Sequence, residues 1–316
     1  MKKELKINKT ISDKKVSVLI GTFNRSSLIS RTFNSILNQS YKNIEIIVID
    51  DCSTDNSVEI LQAYSEKYPD KFKYSVNEKN RGIAYNSNRA YEISTGHYLA
   101  LLGDDDYWID ENKIIKQIEI LEEDSSLGLV GTWWKEDNSK AIVYKKPIEP
   151  KNWKERLLSG GGIICGSTPL IRKEAWDEVS GFDENQKRGT DSDLFRRIVL
   201  SDYNAKILYE VTTVVDVNVN RNRMTSSNNK IMTHQAHINS MKYNMEKLAD
   251  YYNHYPVSKS KYYENIAWQY FLKYKESRYD EDINNSMLNI ALSIKNKFIL
   301  KSLVKFIIIF YFKLKK

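Results

Sequence analysis

The chain has 316 residues, 41% of them hydrophobic and 12% aromatic, and carries a net charge of +7. That length holds one large domain or two modest ones, each able to bury a core. Its two cysteines, Cys52 and Cys165, lie far apart, which excludes a disulfide scaffold or a zinc cluster and fits a reducing compartment.

The charge is unevenly placed. From Ser226 to Lys316 there are 15 Lys and Arg against 7 Asp and Glu, and in the remainder 33 against 34. A near-neutral body with a basic tail argues against a general nucleic-acid binder and for a tail that meets an anionic surface such as a membrane face. Met1 to Lys15 is Lys-rich without an apolar core, so no signal peptide is expected there, and no run reaches the roughly 18 apolar residues needed to span a bilayer.

The first half alternates strand and helix. Val16 to Ile20 (VSVLI) reads as a strand buried on both faces, followed by a helix through Ile29, Phe33, Ile36 and Leu37. Ile44 to Ile49 is the next strand and Ser57 to Tyr64 the next helix. Phe72 to Val76 is a weaker strand, and Asn86 to Ile93 a helix ended near Gly96. His97 to Leu102 is a strand and Glu111 to Glu123 a helix. Such repeats imply a parallel sheet covered by helices, with ligands bound beyond the carboxyl ends of the strands. From Ser226 the pattern is helical, rich in Tyr, Lys and Asn, with Pro256 separating two helices.

Polar motifs follow three of these strands: Gly21-Thr22-Phe23-Asn24-Arg25, Asp50-Asp51-Cys52-Ser53-Thr54-Asp55, and Gly103-Asp104-Asp105-Asp106. Three adjacent carboxylates repel and raise one another's pKa. A hard divalent cation such as Mg²⁺ or Mn²⁺, which prefers oxygen ligands and keeps positions open for phosphates, would relieve that repulsion. The plainer alternative is a solvated acidic turn.

VSVLIGTFNR, IEIIVIDDCSTDNS, NRGIAYNSNRA, GHYLALLGDDDYW and SGFDENQKRGTDSDLFRRI, in that order across residues 16 to about 200, resemble the successive signatures of glycosyltransferase family 2. The resemblance implies a GT-A fold: a Rossmann-like, mostly parallel α/β sheet sandwiched by helices, here over residues 1–225, followed by a helical region over 226–316. It also implies a nucleotide-sugar donor (a UDP-sugar is the expected one), a divalent metal (Mn²⁺ or Mg²⁺) and inversion at the anomeric carbon. The acceptor it implies is a hydroxyl of a glycan or a lipid-linked saccharide in surface polysaccharide synthesis.

Carried onto this chain, the resemblance places Asp51 on the nucleobase edge and Thr22, Phe23 and Asn24 around base and ribose, with Arg25 of the same turn binding the nucleotide sugar. The alternatives are an N-cap role near Asp51 and ordinary core for Phe23. Arg81 is a diphosphate contact or a surface charge, and Asn88 points into the site or pins a loop. Many relatives have an acid where this chain has Gly103, which blurs the metal-binding pair. Asp105 is assigned to the metal, Asp104 to the ribose, and Asp106 to a water-mediated or supporting role. Asp191 takes the place of the usual catalytic base, although Thr190 departs from the family's Glu-Asp pattern; its alternative is an N-cap. Asp193 is expected to touch the acceptor or pair with Arg197, Asp183 to sit in a turn, and Arg223 to counter the diphosphate charge. Gly160-Gly161-Gly162 and Gly166-Ser167-Thr168 read as an acceptor loop or a plain connection.

Lys295 to Lys316 contains seven Lys and no acid. Leu300, Leu303, Val304, Ile307, Phe310, Tyr311 and Leu314 recur at helical spacing, with Lys297, Lys301 and Lys305 opposite. This is a basic amphipathic helix, suited either to a lipid interface or to packing on the body. The expected location is the cytoplasm, at the inner face of the plasma membrane. Two rival functions were weighed: a sugar-phosphate nucleotidyltransferase, disfavoured by the single Gly in the loop after the first strand, and a non-catalytic nucleotide-sugar-binding scaffold.

Overall fold

The computed structural model describes residues 13–137, 141–160, 162–217, 230–296 and 300–314. The expected strand–helix alternation opens it, as β1 (Val16–Thr22), α1 (Ile29–Leu37), β2 (Ile44–Asp50), α2 (Ser57–Lys67), β3 (Phe72–Val76), α3 (Ile83–Ile93) and β4 (Tyr98–Leu101). Then come β5 (Tyr107–Trp108), α4 (Lys113–Glu123), β6 (Leu127–Asp137), β7 (Ile142–Lys145), α5 (Trp153–Leu158), β8 (Leu170–Arg172), α6 (Lys173–Glu178) and α7 (Thr190–Leu200). The chain continues through β9 (Asn204–Asp216), α8 (Lys230–Lys247), α9 (Ala249–His254), α10 (Pro256–Ser277), α11 (Asp280–Asn296) and α12 (Leu300–Leu314).

Among the described residues the strands form one nine-stranded sheet in the order β3-β2-β1-β4-β8-β6-β9-β5, with β7 beside β6. β1 and β2 are buried at every position, as continuous β-branched runs require when helices cover both faces. Parallel pairing of β1 with β2 and β4, and of β2 with β3, brings their carboxyl ends to one edge. α1 packs Ile29, Thr32, Phe33 and Ile36 inward, Phe33 meeting Tyr64 and Phe72 edge-on. The second half of the sheet is mixed: β8 runs antiparallel to β4 and β6, while β6 and β9 are parallel.

By contacts the chain divides into two units. One comprises Met1–Glu149, Ile163–Glu184 and Arg197–Asn218; the other comprises Pro150–Gly162, Asn185–Arg196 and Val219–Lys316. The first holds the sheet. The second takes in two segments that precede the boundary expected near residue 225.

Within the second unit, α10 packs against α8, α11 and α5. Pro256 opens α10 at its first turn, where a missing N–H is harmless. α12 docks through Ile309, which is buried, and through Ser302 and Lys305, which share the Glu264 carboxylate at 2.8 and 2.5 Å. Lys305, expected on the solvent side, is therefore turned inward by an acid on α10. Val304, Ile307 and Tyr311 from the expected apolar stripe are 51%, 58% and 52% exposed. Lys297 and the side chains of Leu300, Lys301, Leu303 and Leu314 lie outside the described residues. Among the described residues, no helix is long and apolar enough to cross a membrane.

Candidate active site

Three loops meet where β1, β2 and β4 end. The Asp51 N–H donates to the Thr22 carbonyl at 2.8 Å, so the second loop is tied to the first. The Phe23 N–H donates to Asp104 Oδ2 at 3.3 Å, and Arg25 Nε lies 3.7 Å from Asp104 Oδ1. Asn24 takes a left-handed turn (φ 52°), and its Oδ1 accepts the Thr54 N–H at 2.8 Å. Thr22 is buried, whereas the Phe23 ring is 38% exposed and so is not core.

The acidic loop is fixed from several sides. Ser167 Oγ donates to Asp106 Oδ2 and accepts the Gly103 N–H at 3.0 Å. The Asp216 N–H reaches Asp106 Oδ1 at 3.0 Å. Thr32 Oγ1 lies 3.0 and 2.7 Å from the carbonyls of Asp104 and Asp106. Arg31 donates to the Asp105 carbonyl at 2.8 Å and to Asp216 Oδ2 at 3.2 Å, its guanidinium lying 4.3 Å from the Tyr107 ring centroid. Both Asp106 oxygens thus accept hydrogen bonds from the protein. Asp104 is buried beside Asp105; burial first, then repulsion from Asp105, push its carboxyl up to about 7, with Arg25 opposing. Asp105 is the acid of the three that stays half-buried at the surface.

This donor set suits a hard cation. Among the described residues no group of three or more His, Cys, Asp and Glu is arranged to hold a metal. A Mg²⁺-type ion needs only one or two carboxylates when phosphates and waters complete its shell.

Asp51 is buried, and its carboxylate accepts from Asn77 Nδ2 at 2.9 Å, the Arg81 N–H at 2.7 Å and the Gly82 N–H at 2.9 Å. Gly82 sits at φ 85°, a conformation glycine adopts without strain. Asn77 also donates to Asn86 Oδ1 at 2.7 Å and accepts from Arg89 at 3.0 Å, so Asp51 rests on a buried amide network. The N-cap alternative falls elsewhere: Asp55 Oδ1 accepts the Ser57 N–H at 3.0 Å at the start of α2, while Asp50 accepts the Ser53 N–H at 2.8 Å. Arg81 projects its side chain outward over Tyr85.

The Glycosyl transferase family 2 profile matches residues 17–179, just over half of the chain and all three of these loops. The chain belongs to glycosyltransferase family 2. It is 30% identical over 231 residues to EpsE of Bacillus subtilis (strain 168), a protein classed as a glycosyltransferase, covering 71% of this chain and 82% of that one. In fold it resembles residues 1–349 of TarS from S. aureus, solved with UDP-GlcNAc, at TM-score 0.60 and 17% identity, covering 87% of this chain and 90% of that one. It also resembles the mannosyltransferase PcManGT from Pyrobaculum calidifontis, solved with GDP-Man and Mn²⁺, at TM-score 0.60 and 17% identity, covering 93% and 87%.

Asn88 takes the second of its two expected places, and Asp193 pairs with a residue other than the one expected. Asn88 donates to the Phe182 carbonyl at 2.9 Å and to Glu184 Oε1 at 3.1 Å, and accepts the Phe182 N–H at 2.9 Å: here its amide pins the 182–184 turn. Asp193 pairs with Lys247 at 2.8 Å rather than with Arg197, because Arg197 turns its guanidinium onto the carbonyls of Val179 and Gly181 at 2.6 and 2.7 Å. Asp191, in the second unit, stands in the first turn of α7. Its Oδ1 accepts the Ser192 N–H at 2.7 Å, and burial raises its carboxyl above the usual range. Arg221, Asn222 and Arg223 lie outside the described residues, as does Gly161.

The sequence reading missed Arg31, Thr32, Asn77 and Asp216, and it named Ser167 only within an acceptor loop or plain connection, not as a support of Asp106. Only Thr32 left a signal, as a hydroxyl on the otherwise apolar face Ile29, Phe33, Ile36.

Proposed function

We propose that this glycosyltransferase moves a sugar from a UDP-sugar to a hydroxyl of a glycan or lipid-linked saccharide in polysaccharide synthesis, inverting the anomeric carbon with the help of a divalent cation at Asp105. The carrying observation is the meeting of Arg25, Asp51, Asp104 and Asp105 at the carboxyl ends of β1, β2 and β4. That edge is where open α/β sheets receive ligands.

The residues divide by chemistry. The exposed Phe23 ring stacks on the base, and Thr22 and Asn24 line the turn around base and ribose. A carboxylate offers about four acceptor sites. Asp51 has three filled by the protein, so one remains. That matches the single ring N–H of uracil better than the two donors on the edge of guanine. TarS was solved with a UDP-sugar and PcManGT with a GDP-sugar, so the fold admits both bases and the choice falls to this edge. Arg25 and Arg81 supply charge-assisted hydrogen bonds to the diphosphate. Mn²⁺ or Mg²⁺ held by Asp105, with Asp104 beside it, would offset the charge growing on the departing diphosphate.

Asp191 takes the proton of the acceptor hydroxyl as its oxygen attacks the anomeric carbon. The bond from that carbon to the diphosphate oxygen breaks, and UDP leaves with the electron pair. Burial raises the Asp191 carboxyl above its usual range, which strengthens it as a base for that step.

α12 places the enzyme against an anionic inner leaflet. Val304, Ile307, Ile308, Phe310 and Tyr311 are exposed on a helix held down by Lys305 and Ile309, in a segment with seven Lys and no acid. Two assays test the reading. UDP release from UDP-glucose and UDP-GlcNAc should require Mn²⁺ or Mg²⁺ and vanish in Asp105→Asn; tight binding without turnover under either metal would instead indicate a scaffold. Sedimentation with phosphatidylglycerol vesicles should be lost on deleting residues 300–316, and unchanged sedimentation removes the membrane role.

A further inference from the structure

The pairing of β6 with β9 slips between Thr132↔Leu208 and Trp133↔Val211, leaving Tyr209 and Glu210 as extra residues on β9. A bulge of this kind re-aims side chains. Glu210 is drawn to Lys116 at 2.5 Å, and Tyr209 turns outward, 48% exposed. Its ring stacks on Trp133 with centroids 5.4 Å apart and planes at 29°. Both rings are held by their edges: Trp133 Nε1 donates to the Pro147 carbonyl at 2.9 Å, and the Tyr209 hydroxyl accepts the Glu149 N–H at 3.2 Å. Lys146 Nζ lies 5.1 Å from the Trp133 ring centroid and 5.9 Å from that of Tyr144, which is 59% exposed.

We propose that Trp133, Tyr209 and Tyr144 form a platform for the acceptor saccharide, several sugar residues back from the reacting hydroxyl. The inference rests on the sugar-transfer reading and adds where the acceptor lies. A pyranose ring has an apolar C–H face and a rim of hydroxyls. The exposed Tyr209 and Tyr144 rings, the first backed by the half-buried Trp133, match the face, and the Lys146 ammonium beside them matches the rim. The platform is continuous with the donor site. After a second slip between Trp133 and Trp134, β6 and β9 run in register from Trp134↔Thr213 to Asp137↔Asp216, and the Asp216 N–H holds Asp106 at 3.0 Å. Four residues of strand at about 3.3 Å each is roughly 13 Å, so an oligosaccharide reaching the acidic loop passes the rings. The rival occupant is a second copy pairing along β7, whose Ile142 and Val143 are exposed. β7 has only four residues and ends in Lys145 followed by Lys146, features that discourage edge pairing.

The test uses the full-length protein with chitohexaose, cellohexaose, maltohexaose and a hyaluronan hexasaccharide, each against its disaccharide, by calorimetry and saturation-transfer NMR. At least one hexasaccharide should bind about fivefold to tenfold more tightly than its disaccharide. Tyr209→Ala should erase that difference and Tyr209→Phe keep it, with UDP affinity equal in all three proteins. Equal hexasaccharide affinity in Tyr209→Ala, or no preference for any hexasaccharide in the parent protein, overturns the platform. So does a dimer that Tyr209→Ala dissociates without any effect on saccharide. Failure of the parent protein to bind UDP would strike the sugar-transfer reading instead.

Discussion

Replacing Ser167 by Ala is the sharpest test of how the acidic loop is held. The hydroxyl donates to the buried Asp106 carboxylate and accepts the Gly103 N–H at 3.0 Å. A hydrogen bond to a charged group contributes about 1.5–3 kcal/mol, and stranding a buried N–H costs about 1–3 kcal/mol. The two share one network, so they do not simply add. A loss of about 2–4 kcal/mol is expected. For a unit of this size that lowers the melting temperature by roughly 4–16 °C. Thermal and urea unfolding would measure it, with UDP release followed in parallel at a temperature where the variant is folded. Release should fall by about tenfold or more, because loosening Asp106 frees Asp104 and Asp105 to drift from a productive geometry. A melting temperature within about 2 °C of the parent protein, with unchanged release, would refute the idea that Ser167 fixes this loop.

Burial and the neighbouring Asp105 push the Asp104 carboxyl up to about 7, so a cation bound beside it at lower pH would displace a proton. Mn²⁺ affinity measured by electron paramagnetic resonance should weaken by about tenfold per pH unit below 7 and level off above it. Asp191→Asn should lower transfer by about 10²–10⁴-fold while leaving UDP affinity and melting temperature unchanged, as read by acceptor-dependent product formation. Because burial raises the Asp191 carboxyl, the acidic limb of the transfer profile should fall above the ordinary Asp range; activity holding undiminished to pH 4 would exclude it as base. Asp51→Asn sets an amide N–H₂ against either the Gly82 N–H or the Arg81 N–H and Asn77 amide, which lie on opposite carboxylate oxygens, and calorimetry should show UDP affinity reduced by about tenfold or more.

The donor half of the site was legible because continuous apolar strands stop abruptly at polar turns. VSVLI and IEIIVI announce β1 and β2, and their carboxyl ends follow from parallel topology alone. The supports were not legible. Ser167 and Asp216 stand 61 and 110 residues from the Asp106 they hold, and nothing local marks either one. The mixed half of the sheet was missed for a related reason: β8 has three residues and β9 carries a bulge, so neither shows a clean period. The docking face of α12 was obscured by its own composition. Sequence periodicity leaves the apolar stripe to a lipid interface or to packing on the body; Glu264 on another helix draws Lys305 inward, and Val304, Ile307, Phe310 and Tyr311 of the stripe are exposed.

The crowding around Gly103 couples two distant choices. A Cβ added there would stand 3.1 Å from Asp106 Oδ2 and 3.2 Å from Ser167 Oγ. An acid at this position would press against both and set a fourth carboxylate beside them. Such an acid would require a smaller or displaced side chain at 167. Positions 103 and 167 are thus coupled through space, and exchanging both together would preserve a packing that exchanging one alone would strain.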